Sequence, residues 1–476
     1  VLHAAAFAVA TFAAYARDAV QRLERGWFAG AGWHECFLSG CRTRDSDWGA
    51  DALTGVLALR YETARDASTV APLHAILGNL PRYGAPCDRS ARCTAWSDVP
   101  MWDAVAALAA SRATGEHAEG VSLARRAFAF VDGSRVYALG ACPDIDYQQP
   151  LGGRNRLKTL ETDANYVRAA LSLYAETRDE SLLAKARAKY AAIRRYFLEP
   201  DGLYTVYVFD DGHTCRRLPG RTFASVNGVM MSNGLDLARL TGNDAYSADA
   251  VATARAVEKR LSDAAGIFTD LQAENDVVEP LVDAMLRVAR EAREPFARAW
   301  ILRNAAAARS VRTADGDYGR FFDGPPPTWP VTAWQTNGGF AIEIAAAALA
   351  PDDAPPLPAR APQKRARGFV VGATAHRLAF FGSGIMLFGT LGARCCESGH
   401  ARVVVDGRET YDRTGIWQNK SSASLSLPGT LLFAWRWPKA GPHAIALLPG
   451  VPNPKEGGSF LRVDAVVTEG QRAAAR

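Results

Sequence analysis

The sequence lacks any stretch of roughly twenty uninterrupted apolar residues, the length needed to cross a bilayer, so no membrane-spanning segment is expected. It also lacks a dense Lys/Arg run, and the formal net charge is only +5 over 476 residues. A chain built to track phosphates would need one, so no nucleic-acid partner is expected. C-x2-C spacing is absent, and His34 is the only imidazole near the paired cysteines, so neither a metal nor a cofactor is read. The segment Val1 to Ala16 is Ala-rich and ends in a small-x-small pattern at Ala14-Tyr15-Ala16, but it lacks the basic start of an export signal. It reads as the beginning of an amphipathic helix that continues through Val20 and Leu23 to Trp27.

What is present is informative. There are eight cysteines. Cys36 with Cys41 and Cys87 with Cys93 form close pairs in Gly/Ser/Arg-rich loops, Cys142 and Cys215 stand alone, and Cys395-Cys396 are adjacent. An even number in loops points to disulfides and an oxidising, secreted setting.

A unit recurs along the first 350 residues: an apolar helix, a tight Thr-x-acid turn, then another helix. The turn occurs as Thr63-Ala64-Arg65-Asp66, Thr114-Gly115-Glu116, Thr177-Arg178-Asp179 and Thr241-Gly242-Asn243. The 3.6-residue period predicts about twelve helices. They start near Ala5, Trp48, Val70, Asp98, Ala118, Thr162, Ser181, Ser225, Tyr246, Asn275, Glu294 and Trp334. Short turns follow even-numbered helices and long loops follow odd-numbered ones. Six such hairpins closing into an (α/α)6 barrel would put every long loop on one end, the face where a site is usually built. All six of the first cysteines fall in those loops, and a Cys142–Cys215 bridge between neighbouring loops is expected.

Residues 351–367, with five prolines and the run Lys364-Arg365-Ala366-Arg367, read as a semi-rigid linker. Beyond it the period changes to two. Ala401 to Val405 leads into an Asp406-Gly407 hairpin turn, and strand-like runs follow at 431–437, 443–448 and 460–467. The expected division is a helical domain over 1–350, the linker, a β-sandwich over 368–470, and a tail over 471–476.

Acids and aromatics gather at the starts of the even helices: Asp47 and Trp48; Trp96, Asp98 and Trp102; Lys158, Glu161 and Asp163; Asp276; Trp334 and Gln335. Arg221 and Asn227 lie at the eighth helix. Carboxylates beside tryptophans suit sugars, whose CH faces stack on indole while acids act on the glycosidic oxygen and anomeric carbon. The same positions favour helix caps, so Asp47, Ser97 or Asp98, and Asp163 fit that role equally. The tryptophans fit a core role as well as a stacking one.

The segment Trp96-Ser97-Asp98-Val99-Pro100-Met101-Trp102 resembles the fourth helix of glycoside hydrolase family 76, the endo-α-1,6-mannanases. Lys158 to Tyr174 and Thr222-Phe223-Ala224-Ser225-Val226-Asn227-Gly228 resemble two further family segments, and the likeness covers roughly residues 30 to 350. The resemblance implies an (α/α)6 barrel, secretion and retaining hydrolysis of a polysaccharide, with an α-mannan as the substrate the family name suggests. Where the family carries two consecutive aspartates, nucleophile then acid/base, this chain has Ser97 and Asp98. Only Asp98 carries over, as general acid/base. A partner carboxylate at about 5 Å would support retention and one at about 6.5–9.5 Å inversion. Glu161 and Asp47 lead the candidates, followed by Asp163 and Asp276. The C-terminal part resembles the galactose-binding-like sandwiches appended to secreted carbohydrate enzymes, with Trp417, Trp435 and Trp437 as aromatics. A monomer is expected. Two alternatives remain: an unsaturated-uronide hydrolase or lyase-like enzyme using Arg154, Arg156 and Arg221, and a glycan-binding protein without catalysis.

Overall fold

The computed structural model describes residues 11–36, 48–87, 96–150, 156–218, 222–269, 276–320, 322, 326, 331–353, 363–391, 399–409, 416–418, 427–449 and 461–470. The described helices are α1 (Phe12–Arg22, extended by a π-helical turn, Leu23–Trp27), α2 (Trp48–Ala64), α3 (Val70–Leu77), α4 (Asp98–Thr114), α5 (His117–Gly133), α6 (Leu160–Thr177), α7 (Glu180–Phe197), α8 (Ala224–Thr241), α9 (Ala245–Arg260), α10 (Glu279–Arg290), α11 (Pro295–Ser310) and α12 (Ala333–Leu349). Most start within two residues of where the period places them. Helix α10 starts four residues later, with Pro280 in its first turn, a position proline tolerates because no N–H is needed there. The stretch before Thr11 lies outside the described residues.

The short turns share one mechanism. Thr63, Thr177 and Thr241 each donate a side-chain hydrogen bond to the carbonyl four residues back, ending α2, α6 and α8. The next residues to turn, Arg65, Gly115, Arg178 and Gly242, adopt positive φ. The Asp66, Asp179 and Asn243 side chains then accept from backbone N–H groups at the start of the following element.

Even-numbered helices pack on one another in the sequence α2, α4, α6, α8, α10, α12 and back to α2, a closed ring, and odd-numbered helices lie against its outside. The reason is compositional. Helices α4, α6, α8 and α12 are buried on nearly every side, whereas α5 and α7 bury one stripe and expose the other. Close approach inside the ring needs glycine. A Cβ on Gly228 would lie 2.4 Å from the Pro280 carbonyl oxygen, and one on Gly55 would lie 2.7 Å from the Glu279 carboxyl carbon.

The ring's interior carries ionisable groups. Arg168 of α6 reaches Asp283 of α10 at 3.6 Å, past the intervening α8, and Arg287 binds Asp236 at 2.9 Å. The Glu279 carboxyl, pressed against α2 at Gly55, has its pKa pushed up to about 8 by burial, reinforced by the Asp283 charge and opposed by Arg168.

At the long-loop end, β1 (Leu157–Thr159), β2 (Tyr207–Asp210) and β3 (Cys215–Leu218) form a small antiparallel sheet. The Cys142–Cys215 disulfide fastens the loop before α6 to this sheet, as the loop order predicts. Cys36 and Cys87 are also disulfide-bonded, and Cys41 and Cys93 lie outside the described residues.

The C-terminal strands are β4 (Gln363–Val371), β5 (His376–Leu391), β6 (Gly399–Val405), β7 (Arg408–Glu409), β8 (Ile416–Gln418), β9 (Leu427–Pro449) and β10 (Leu461–Glu469). Strand structure thus begins at Gln363, inside the segment expected as linker. Where a sandwich is expected, the described strands form one hydrogen-bonded antiparallel sheet in the order β4-β10-β5-β9-β6-β7, with β8 beside β6. The runs at 431–437 and 443–448 are one strand, β9. Its pairing with β5 shifts register between Gly382 and Gly384, where residues 437–440 of β9 stand against Ser383 alone. Asp406 and Gly407 both have positive φ, as the expected hairpin turn requires.

Two outcomes follow. Replacing Asp66 with Ala removes the cap on Ser68 and the 2.9 Å ion pair with Arg60, and should cost about 1 kcal/mol in urea unfolding with activity unchanged. Glu279 has a folded pKa above its unfolded value, so its contribution to stability is complete below about pH 4.5 and is lost as pH rises to about 8. Glu279→Gln should flatten that part of the stability–pH curve, measured by thermal melting.

Candidate active site

The first turns of the inner helices converge at the long-loop end and are interlocked there. A helix start leaves backbone N–H groups without intrahelical partners, and here neighbouring elements supply acceptors. Asn337 Oδ1 of α12 accepts from the N–H groups of Val278 and Glu279, both at 2.9 Å, at the start of α10. The Asp276 carboxylate, ahead of α10, accepts from Ala224 and Ser225 at the start of α8. Gln335 Oε1 accepts from the Thr332 N–H at 3.0 Å in a capping box that starts α12.

Asp98 is the first residue of α4, and its side chain is buried with 4% exposure. Neither it nor Ser97 caps the helix, in contrast to the capping alternative. Ser97 Oγ instead donates to the Tyr147 carbonyl at 2.8 Å and lies 2.7 Å from Thr162 Oγ1 of α6. That contact stitches the start of α4 to the start of α6. Asp98 follows Ser97 and Glu161 precedes Thr162 in sequence, and both carboxylate side chains are buried. Glu161 Oε2 accepts from Thr159 Oγ1, the residue that caps α6.

On the other side of Asp98 is α2, whose first turn carries Asp51, also buried. Burial, then the charges of Asp103, Asp51 and Asp98, push the Tyr83 phenol well above its ordinary pKa, and Tyr83 donates a short hydrogen bond to Asp103. Burial and the Asp98 and Asp146 charges do the same to Tyr137. Asp98 therefore sits near two neutral phenols, and the charges of Asp51 and Asp98 both act on Tyr83. Asp51 escapes sequence reading because attention falls on Asp45-Ser46-Asp47 just before it, and Tyr83 and Tyr137 sit in loops without a motif.

The tryptophans divide. Trp96 is 41% exposed at the rim. Trp48, at the first position of α2, meets Trp334 of α12 edge to face at 5.9 Å. Trp102, one turn beyond Asp98 on α4, is 4% exposed and Trp334 is 0% exposed. Their two indole N–H groups are buried without a hydrogen-bond acceptor among the described residues, an arrangement that costs about 1–3 kcal/mol per donor.

Several residues expected to bind substrate are committed to the protein itself. Lys158 is fully buried; its ammonium donates to the carbonyls of Cys142 and Ile145 and lies 3.6 Å from Asp210. Asp163 pairs with Lys189 at 3.0 Å, and Lys189 also holds Asp146 at 2.8 Å. Burial disfavours the Lys189 charge, but these two carboxylates outweigh it and raise its pKa. Asn227 accepts from the Tyr204 N–H at 3.0 Å and donates to the Phe223 carbonyl at 2.7 Å. With Asp276 and Gln335, these side chains fix the loops and helix starts around the site instead of facing a ligand, because each polar residue so buried must find its partner within the fold. Arg156 is exposed, whereas Asp47, Arg154 and Arg221 lie outside the described residues.

No family model matches the chain, and no curated protein matches it. Solved structures do. The α-1,6-mannanase GH76A of Salegentibacter sp. HEL1_6 is similar with a TM-score of 0.58 at 17% identity, over 71% of this chain and 99% of that one. An inactive variant of it, with two consecutive aspartates replaced by asparagine and α-1,6-mannotriose bound, gives 0.59 at 18% identity over the same shares. A glycoside hydrolase family 76 mannosidase from Bacteroides thetaiotaomicron VPI-5482 gives 0.57 at 12%, over 71% of this chain and 98% of its own. The part of this chain that these enzymes match shares their fold.

Proposed function

We propose that this protein is a glycoside hydrolase acting on a mannan-type polysaccharide, with Asp98 as general acid. The observation that carries the reading is a buried carboxylate at the first turn of α4, whose start is tied to that of α6 by the Ser97–Thr162 contact, within a fold shared with α-1,6-mannanases. The closed ring with its outer helices is read as an (α/α)6 barrel, and the family's chemistry then takes place on the long-loop face.

Asp98 protonates the departing glycosidic oxygen. The second carboxylate supplies electrons at the anomeric carbon, directly or through water. Glu161 is assigned this role because the Ser97–Thr162 contact holds its backbone beside that of Asp98. Ser97 is not a nucleophile: its hydroxyl donates to the Tyr147 carbonyl and is buried in the seam. Trp96 at the rim supplies an exposed face on which a sugar ring stacks. The Cys142–Cys215 bridge and the bonded state of Cys36 and Cys87 support export to an oxidising compartment.

Product analysis on α-1,6-linked mannan, galactan and uronic-acid polymers tests the substrate class. Turnover of mannan is expected, and turnover of the uronic-acid polymer alone would replace this reading with the uronide one. Asp98→Asn should lower kcat by roughly 10²–10⁴-fold with KM little changed, and Glu161→Gln should do the same. Full activity in Glu161→Gln with loss in Asp51→Asn would move the second role from α6 to α2.

A further inference from the structure

The C-terminal sheet does not stand apart from the site. Trp102 of α4, Ala52 of α2, Val277 before α10 and Trp334 of α12 belong to one buried apolar cluster with Ile385, Leu387, Val403, Leu432, Phe433 and Leu447 of the sheet. Trp48 and, from the sheet, Trp435 and Trp437 pack on the same cluster. The four ring residues all lie at or near the starts of inner helices, on the long-loop face beside Asp98.

The chain can reach this face. Helix α12 runs away from it, ending at Leu349 about 25 Å from its start at about 1.5 Å per residue. The thirteen-residue step from Ala350 to Gln363 allows a separation of up to about 40 Å at about 3.1 Å per residue, more than the length of α12. The mannanases named above are matched almost end to end by 71% of this chain, so nearly three-tenths of the chain lies beyond the match.

We propose that this sheet is a wall of the catalytic cleft, closing it across α12, α2 and α4, and that the enzyme therefore cleaves at the ends of glycan chains. A polymer threaded through an open groove needs two exits, and the sheet occupies one. In the reaction the terminal glycosidic C–O bond breaks. Water gives its OH to the anomeric carbon and its remaining proton, by way of the acid, to the leaving oxygen. This inference rests on the hydrolase reading.

Two measurements on the full chain separate the claims. Oxidation by N-bromosuccinimide, read tryptophan by tryptophan in peptide maps, should modify Trp102 and Trp334 at least about tenfold more slowly than Trp96, and Leu432→Asp, which disrupts the sheet's core, should abolish that protection. Equal rates for all three in the native chain, or protection unchanged when the sheet is unfolded, would overturn the wall. Digestion of end-labelled α-1,6-mannooligosaccharides should release one short product from a single end while longer chains persist. Early internal cleavage to a spread of lengths would overturn end-directed action. Absence of any hydrolysis would instead defeat the hydrolase reading, while the oxidation map would still decide whether the sheet closes the cleft.

Discussion

Everything at the candidate site depends on the need to satisfy backbone N–H groups where six inner helices begin. Those groups are buried, and an unpaired buried donor is costly. The chain meets the need in two ways: Asn337 and Asp276 reach across to the starts of α10 and α8, while Gln335 and Thr159 cap the starts of their own helices, α12 and α6. The first two bonds fix one helix start relative to another, so the ring's geometry is set by caps as well as by apolar packing. Asp98 inherits its position from this lattice through Ser97 and Thr162.

The same constraint explains the polar character of the surroundings. Lys158 and Lys189 are buried cations, and each is matched by carbonyls or carboxylates supplied by the long loops. Asp210 accepts from the N–H groups of Ala141, Cys142 and Gly212; burial works against its charge, but these bonds outweigh it and hold its carboxyl below the ordinary range. The Cys142–Cys215 bridge lies directly beside that cluster. Loop rigidity at this end of the ring is thus built from charge-assisted bonds and a covalent link, which suits a site that has to keep two carboxylates in fixed relation.

Much of the helical architecture is legible in the sequence, because both signals that mark it are local. The apolar period locates the helices, and the Thr-x-acid turn states its own mechanism through Thr177, the left-handed Arg178 and the cap Asp179. The site is less legible because function and structural support use the same residue types. Asp163 and Asp276 look like candidate acids, yet one is an ion-pair partner of Lys189 and the other caps a helix distant in sequence. Only tertiary contacts separate those from Asp98 and Glu161. Asp51 is hidden for the same reason, and the continuity of β9 is hidden because its prolyl and glycyl stretch reads locally as a turn.

The central claim is that the interlocked helix starts present Asp98 to a glycan on the long-loop face. A crystal structure of the Asp98→Asn chain with α-1,6-mannotriose tests it most directly. The account predicts a sugar with its glycosidic oxygen within hydrogen-bonding distance of position 98. A trisaccharide bound elsewhere on the molecule would contradict it.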